Sequence, residues 1–340
     1  MRFPEFSGEW KKCIIQDYGE VITGNTPPTN NAEYYNNGSY LWASPADLGT
    51  GKKINDTKTK LSESGFKKTR IIPKGSILVT CIGSTIGKIG MAVETMSSNQ
   101  QINSIIVNEK SNNDFVYYAI SRAFPRYLSE VGVQAVPILS KSNFEKLPNY
   151  TTSIEEQDKT GYFLNLLDER IATQNKIIED LKKLKCAIIE KLYSKIQGKE
   201  YSYGQLFDVV NERNKQMEYY NILSASQEKG MVNRDDLNLD IQFERSNINT
   251  YKIVRKGDYV IHLRSFQGGF AFSDKLGVCS PAYTILRPNS LLEYSYLSYY
   301  FTSQRFIKSL IIVTYGIRDG RSINVCLLYT SPSPRDVEES

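Results

Sequence analysis

The sequence predicts an α+β fold of two related domains, each a small β-sheet with helices, joined by a long coiled-coil helix. Two observations predict it: apolar residues recur in heptads through the middle of the chain, and patterns found before this segment return after it. The chain has 340 residues, 40% of them hydrophobic and 23% charged, which suits two globular domains. We place the domains at 1–150 and 200–325, the helix at 151–199, and an anomalous tail at 326–340.

The central segment runs from Ser153 to Gly198 and carries helix signals at both ends. Ser153 and Glu156 match a capping box, in which the serine caps the helix and the glutamate reaches back to the serine amide. Gly198 is a typical stop. About 43 residues at roughly 1.5 Å each give a rod of about 65 Å. The alternative is a long core helix of one large domain.

Two heptad rows on this segment predict packing against a partner helix, because an apolar stripe cannot be buried against its own helix. The rows are Leu164, Ile171, Ile178 and Leu192, and Leu167, Leu181 and Ile188.

The two flanks resemble each other. Ile71–Val79 reads as a turn and a strand, and a similar run, Ile253–Ile261, follows 182 residues later. Each copy continues with a glycine-bearing loop, a second β-rich run and a predicted helix rich in aromatic residues, at 114–120 and 293–299. The pattern predicts an internal duplication. Four tyrosines at helical spacing in the second copy are expected in the core: Tyr294, Tyr296, Tyr299 and Tyr300.

The charge distribution permits a nucleic-acid partner. The formal net charge is +5, whereas residues 153–198 hold eight acids and eight bases. The surplus therefore lies on the flanking domains, where a phosphate backbone would attract it.

The remaining composition indicates a cytoplasmic protein without histidine chemistry. Five cysteines with no CxxC pair favour free thiols in a reducing compartment. The opening residues lack a signal-peptide pattern, and no apolar run approaches a membrane span. A single histidine argues against His-based metal or triad chemistry.

The loop Gly83–Lys88 resembles a phosphate-binding loop but differs in spacing. Three residues separate its glycines, not four, and Ile89 stands where a Ser or Thr would bind magnesium. The loop is either a tight hairpin turn or a DNA-facing loop, and the two interpretations are compatible. Its candidate contacts are Ser84, Thr85 and Lys88.

Two other polar runs of the first copy hold candidate DNA contacts. Thr23–Pro28 departs from the methyltransferase Asn-Pro-Pro-aromatic motif, which favours a polar turn over catalysis. Ser97–Gln101 combines hydroxyls with amides, and Asn or Gln can pair bidentately with adenine; a solvated turn is the alternative. The candidates are Thr23, Asn25, Thr26, Ser98, Asn99 and Gln100.

In the second copy, Ser280–Tyr283 occupies the place of Ser97–Gln101, so the chemistry differs while the frame is kept. Arginine commonly reads guanine or clamps phosphate, although a lone loop arginine is often merely solvated. The run Arg234–Asp240 lacks the Glu-x-Lys of a nuclease, and no triad or helicase motif points to catalysis. The candidates here are Arg264, Ser280, Tyr283, Arg318 and Arg321.

Short motifs stand beside the predicted helix and near the start of the chain. They are Pro137–Ser140, Phe144–Pro148, Ile154–Gln157 and Phe163–Asp168, with Phe3–Phe6, Trp10 and the Ile71–Gly90 hairpin. Together they resemble the specificity subunits of type I restriction–modification systems. The resemblance covers roughly residues 1 to 325 and is strongest where a target-recognition domain meets the conserved helix.

The resemblance implies a non-catalytic subunit that binds double-stranded DNA. Each recognition domain would read one half of a bipartite site. The helix would set the spacing within an antiparallel coiled coil and dock the methyltransferase (modification) subunits, which restriction subunits join. S-adenosylmethionine, ATP and magnesium would be bound by those partners, so no cofactor is expected on this chain.

One departure from the family concerns its second conserved helix, which follows the second recognition domain. Here the similarity stops near Ser322–Val325, and Cys326–Asp336 looks similar to translated sequencing-adapter read-through. We therefore expect a truncated sequence that dimerises or aggregates through its helix. Two alternative functions stay open: the recognition end of a fused restriction–methyltransferase, and a coiled-coil interaction protein without salt-dependent DNA affinity.

Overall fold

The computed structural model describes residues 2–131, 138–195, 199, 201–226, 229–236, 245–262, 269–309, 314–315 and 322–323. The chain divides into two compact units, Met1–Asn175 (unit 1) and Lys176–Ser340 (unit 2). Their boundary lies within the long central helix. The predicted class, mixed α+β with small sheets and one long helix, is confirmed.

The strands of unit 1 are β1 (Lys11–Ile14), β2 (Gly19–Thr23), β3 (Tyr40–Ala43), β4 (Lys53–Ile54), β5 (Thr59–Leu61), β6 (Ile77–Thr80), β7 (Ile89–Ala92), β8 (Ser97–Ser98), β9 (Ile102–Val107) and β10 (Pro148–Thr151). The helices that begin in unit 1 are α1 (Glu63–Phe66), α2 (Asn113–Val131), α3 (Lys141–Glu145) and the long α4 (Ile154–Ser194).

Two sheets form unit 1, in the orders β2-β9-β6-β7-β4 and β5-β3-β8, and β1 pairs with β10. All four residues of β6 are buried. Because side chains alternate along a strand, Ile77 and Val79 pack with α2 residues such as Phe124. Leu78 instead joins a second cluster, with Leu41 of β3. A strand buried on both faces explains the continuous apolar run in the sequence.

Unit 2 contains α5 (Tyr203–Leu206), β11 (Phe207–Val210), β12 (Leu223–Ser226), β13 (Gly230–Asn233), β14 (Lys252–Val254), β15 (Tyr259–Ile261), β16 (Phe270–Phe272), β17 (Gly277–Cys279), β18 (Thr284–Pro288), α6 (Gln304–Ser309), β19 (Thr314–Tyr315) and β20 (Ser322–Ile323). Its main sheet has the order β11-β18-β15-β16.

This order repeats the order β2-β9-β6-β7 of unit 1, so the predicted duplication is visible in the topology. Individual bonds repeat as well. The amides of Gly75 and Gly257, both at positive φ, donate to the carbonyls of Ala92 and Ser273, each at 2.8 Å. The side chains of Asn108 and Asn289 donate to the backbone carbonyls of Asp17 and Gln205, which lie just before β2 and β11, at 2.9 and 2.6 Å.

The central helix begins where the sequence predicts it, and its expected stop, Gly198, lies outside the described residues. Half of the expected capping box is present, since the Glu156 amide donates to Ser153 Oγ at 3.4 Å. The other half is wrong. The Glu156 carboxylate accepts from Arg2, Trp10 and Thr152 instead, because charged and aromatic partners reach it from distant parts of unit 1.

The helix expected at 293–299 is also wrong. This stretch forms turns with Ser295 at φ 62°, and a short 3-10 helix follows at Tyr300–Thr302. The buried apolar residues of this region are Leu297, Tyr300 and Phe301. Tyr300 lies in the core as expected, but Tyr294, Tyr296 and Tyr299 are exposed, because they occupy the side of the turns that faces solvent.

The heptad rows of α4 remain uncovered within this single chain. Leu164 is half-buried, and the other six predicted packing residues are exposed: Leu167, Ile171, Ile178, Leu181, Ile188 and Leu192. Ile189, which belongs to neither row, is buried instead. Whether a second helix covers the rows stays a prediction.

Candidate nucleic-acid interface

Asn25 joins three loops of unit 1. Its side-chain Nδ2 donates to the Lys68 carbonyl and its Oδ1 accepts from the Arg70 amide, each at 2.8 Å. Its backbone amide donates to the Ser98 carbonyl at 2.9 Å. The end of β8 and the residues that follow β2 and α1 are therefore brought together. Asn25 serves this assembly with both ends of its amide, which leaves it little capacity to read a base.

The other candidates of these loops divide into buried and exposed groups. Ser98 is fully buried, and Asn99 is 8% exposed with its side chain bonded to Gln101. Thr23 Oγ1 donates to Asn103 Oδ1 at 2.7 Å. Thr26 donates to Gln100, and Gln100 itself is exposed. Of this set, Gln100 presents the most accessible amide.

The loop Gly83–Lys88 is a tight hairpin that adjoins the same cluster. Gly83 and Gly87 have φ of 96° and 90°, a region that favours glycine. The Gln101 side chain donates to the Ile82 carbonyl at 3.5 Å, which ties this loop to the β8–β9 loop. Ser84 is exposed, whereas Thr85 and Lys88 are partly so. The turn and the DNA-facing interpretations thus remain compatible.

Two basic residues of this cluster were missed by the sequence reasoning. Arg70 Nη1 donates to the Thr23 carbonyl at 2.6 Å, and Lys68, two residues earlier, accepts from the Asn25 side chain through its carbonyl. The run Lys-Lys-Thr-Arg at 67–70 was the signal that could have found them. Residues 40–88 carry nine bases against three acids, so this part of unit 1 is more basic than the chain as a whole.

In unit 2 the turn before β18 repeats the turn before β9 with a different side chain. The Gln101 amide donates to Asn99 Oδ1 at 3.1 Å, and the Ala282 amide donates to Ser280 Oγ at 3.3 Å. Tyr283 follows this turn, with its ring centroid 6.1 Å from that of His262. Ser280 therefore stands in the place of Asn99. The candidates Arg264, Arg318 and Arg321 lie outside the described residues.

Unit 1 holds the first turn of α4 through a buried carboxylate. Glu156 is 1% exposed and accepts two bonds of 2.7 Å from Arg2 and one of 3.0 Å from Trp10. The Arg2 hydrogen bonds are the largest cause that lowers the pKa of Glu156, to about 2, and bonds from Thr152 and Trp10 add to it.

A second polar cluster holds α4 farther along. Lys52 Nζ lies 2.5 Å from Asp114 Oδ1 and 2.5 Å from Asn165 Oδ1, and 4.3 Å from the centroid of the Tyr118 ring. Asn165 Nδ2 donates to Asp114 Oδ2 at 2.8 Å. Charged and amide groups thus fix the unit 1 part of the helix.

Unit 2 holds the other end of α4 chiefly with aromatic rings. The Tyr193 ring lies 5.1 Å from that of Tyr300 and 6.0 Å from that of Tyr296, whose carbonyl accepts from the Tyr193 hydroxyl. The Arg305 amide donates to Glu190 Oε1 at 3.2 Å.

Within the described ranges, no helix combines the length and apolar character needed to cross a membrane. Nor do three His, Cys, Asp or Glu side chains gather as a metal site in that part of the chain.

Residues 7–183 match the family model described as the type I restriction modification DNA specificity domain. The specificity subunit of the type I restriction enzyme HindI of Haemophilus influenzae is 32% identical over 151 residues, which are 43% of this chain and 32% of that protein. The EcoR124I/EcoR124II specificity subunit of Escherichia coli is 27% identical over 190 residues, or 53% of this chain and 45% of that protein. The chain thus spans a third to a half of these relatives.

Solved structures share the fold at low sequence identity. An S subunit of a type I restriction–modification system from M. genitalium superposes with a TM-score of 0.56 at 16% identity, covering 88% of this chain and 78% of that one. A second chain, from a type I R-M system studied for complex assembly, gives 0.56 at 13% identity over 95% of this chain and 85% of that one. Because the family match takes in more than half of the chain, this protein belongs to the type I restriction–modification DNA specificity family.

Proposed function

We propose that this chain selects the DNA sequence on which a type I restriction–modification complex acts, with each unit reading one half of a bipartite site. The observation that carries the proposal is the turn that precedes β9 and β18. In both units the carbonyl at this position accepts from the amide three residues on, and the side chain accepts from the amide two residues on, but the residue is Asn99 in unit 1 and Ser280 in unit 2. A repeated frame with exchanged side chains suits two modules that read different half-sites.

In unit 1 the accessible residues divide by chemistry. Gln100 offers the amide that can pair with adenine, while Lys68, Arg70 and Lys88 supply positive charge for phosphates. We assign further contacts to the hydroxyls of Ser84, Thr85 and Thr26. In unit 2 we assign contacts to Ser280 and Tyr283, together with Arg264, Arg318 and Arg321.

The exposed heptad rows of α4 support the proposed assembly role. A helix with six exposed apolar packing residues has a surface that a second helix can cover. We infer that α4 sets the distance between half-sites within a coiled coil and docks the modification subunits in the cytoplasm. Methylation and cleavage, with their S-adenosylmethionine, ATP and magnesium, belong to those partner subunits.

Methylome mapping tests the proposal. The chain is co-expressed with the modification subunits of its system, and methylated adenines are mapped in host DNA. We expect a bipartite motif with a fixed spacer, and a Gln100→Ala variant should relax one half of it only. Unmethylated DNA or a continuous motif would contradict the proposal. DNA affinity that is unchanged between low and high salt would favour the interaction-protein alternative.

A further inference from the structure

Two cations face each other across a strand pair of unit 2. Arg213, which follows β11, forms an antiparallel bridge with Lys252, the first residue of β14. The Ile253 amide donates to the Glu212 carbonyl at 2.8 Å and fixes this register. Directly opposed residues of an antiparallel pair project to the same face, so the Arg213 and Lys252 side chains leave the strands on one face.

The nearby carboxylate is engaged elsewhere. Glu212 binds Arg255 at 2.8 Å and Arg287 at 3.4 Å. Within the described residues, no acid lies within 4.0 Å of the side-chain nitrogens of Arg213 or Lys252. Like charges in directly opposed positions are destabilising, and among the described residues no carboxylate pairs with either cation to offset that cost.

Lys252 is also held in place. Its Nζ donates to the Tyr283 carbonyl at 2.7 Å, beside the turn at Ser280 that repeats the unit 1 frame. Burial lowers the pKa of Lys252, and the charge of Arg213 lowers it further against an opposite effect of Cys279. The ammonium is therefore fixed and partly stripped of water, and the residue opposite it carries a charge of its own sign.

Unit 1 has a different pair at the equivalent positions. Phe207 pairs with Pro288 as Gly19 pairs with Val107, which makes Asn25 the counterpart of Arg213. The Ile71–Val79 and Ile253–Ile261 runs make Arg70 the counterpart of Lys252. In unit 1 the side-chain Oδ1 of Asn25 accepts from the Arg70 backbone amide. This position pair therefore carries one cation in unit 1 and two in unit 2.

We propose that Arg213 and Lys252 form a phosphate-binding site of unit 2 that holds one phosphodiester of the DNA backbone. The inference rests on the DNA-binding function proposed above and assigns a new contact within it. Charge-assisted bonds from a guanidinium and an ammonium suit a phosphate. Two convergent charges match an anion better than the neutral edge of a base, so the contact positions the DNA without reading sequence.

Salt-dependent binding tests this site. The full chain, assembled with its modification subunits, is titrated with a duplex that carries the mapped motif and with a scrambled duplex. Arg213→Asn, which imports the unit 1 residue at an exposed position, should weaken binding to both duplexes by the same factor. It should also reduce the slope of log K against log salt by about 0.9, the value for one phosphate contact. Lys256→Asn is the control, because that lysine lies over the Tyr294 ring, 5.7 Å from its centroid.

The outcomes separate this inference from the function on which it rests. If the unsubstituted complex binds with a steep salt slope and Arg213→Asn matches Lys256→Asn, the phosphate site is wrong and the function stands. A loss confined to the motif duplex would make Arg213 a base reader and overturn the inference. If the unsubstituted complex shows no salt-dependent binding, the proposed function itself fails. Without DNA, Arg213→Asn should unfold at the same or a higher temperature, because it removes a like-charge pair.

Discussion

Units 1 and 2 share a backbone frame but stabilise the same turn in different ways. In unit 1, Ser76 Oγ donates to the Pro73 carbonyl at 2.7 Å. At the equivalent place in unit 2, Asp258 accepts from the Arg255 amide at 2.8 Å. The turn keeps its shape although the hydrogen bond runs in the opposite direction. The frame therefore depends on glycine conformation and strand pairing, and the side chains around it are free to diverge.

The divergence introduces a charge network in unit 2. Asp258 is 1% exposed and binds Arg287 bidentately at 2.9 and 3.0 Å, while Glu212 approaches the same guanidinium. Unit 1 has Ser76 at the position of Asp258 and Ile106 at that of Arg287, so its corresponding core is neutral. Unit 2 thus has paired charges where unit 1 has a hydrogen-bonded serine and a half-buried isoleucine.

Removing the buried charge of unit 2 should have the largest effect. Asp258→Asn leaves Arg287 with a weaker partner, and we expect a loss of about 2–3 kcal/mol, below the ~3–5 for a fully buried pair because Arg287 keeps some solvent contact. The matched change Ser76→Ala in unit 1 should cost about 1 kcal/mol. Both tryptophans, Trp10 and Trp42, lie in unit 1, so their fluorescence reports unit 1 during denaturation while circular dichroism reports both units. Equal losses in the two variants would contradict the comparison.

The repeated glycine turn should tolerate alanine unequally. Both glycines have positive φ, 86° at Gly75 and 98° at Gly257, which costs an alanine about 1–2 kcal/mol. A Cβ on Gly75 would lie 2.2 Å from Asn113 Nδ2, whereas a Cβ on Gly257 would meet its nearest atom, in Tyr294, at 3.5 Å. We expect Gly75→Ala to lose about 1 kcal/mol more than Gly257→Ala, since the bond from Asn113 to the Gly75 carbonyl must also shift. Thermal unfolding of the two variants measures this, and the reverse order would show that the turns are not equivalent.

The contacts that hold α4 in unit 1, at Glu156, and in unit 2, at Tyr193, should respond differently to acid. The pKa of Glu156 is lowered to about 2 by Arg2, so its stabilising contribution is present above the unfolded pKa of about 4.3 and is lost as pH falls toward 2. We expect Glu156→Gln to cost about 1 kcal/mol at neutral pH and progressively less between about pH 5 and 2.

Trp10 fluorescence should report this loss directly, because its indole donates to Glu156 at 3.0 Å. Tyr193→Phe, which alters the aromatic contacts of α4 in unit 2, is the control. Its effect on the free energy of unfolding should stay constant over the same acid range. A pH-independent difference in stability between Glu156→Gln and the unsubstituted chain would rule out this role for the Glu156 carboxylate.

Local sequence signals predicted the helix start, the repeated runs and the polar loops, because each depends on spacing within a few residues. They failed where a long-range pairing decides the outcome. Glu156 was assigned to a capping box because its partner Arg2 is 154 residues away in sequence. Arg213 and Lys252 carry no motif of their own, and only the strand register places them opposite each other. The exposed tyrosines of unit 2 were misplaced because a turn at Ser295 interrupts the helical spacing.

The long helix is also electrically polar along its length. Residues 154–175 hold five acids and two bases, whereas residues 176–195 hold three acids and six bases. A second helix of the same charge order would meet opposite charges if it packed antiparallel and like charges if it packed parallel. If a second helix packs on the apolar rows, they attract it in either direction, and these charges would decide its orientation. Since salt screens surface charges over about 8–10 Å at physiological strength, the orientation preference should weaken in concentrated salt while the attraction persists.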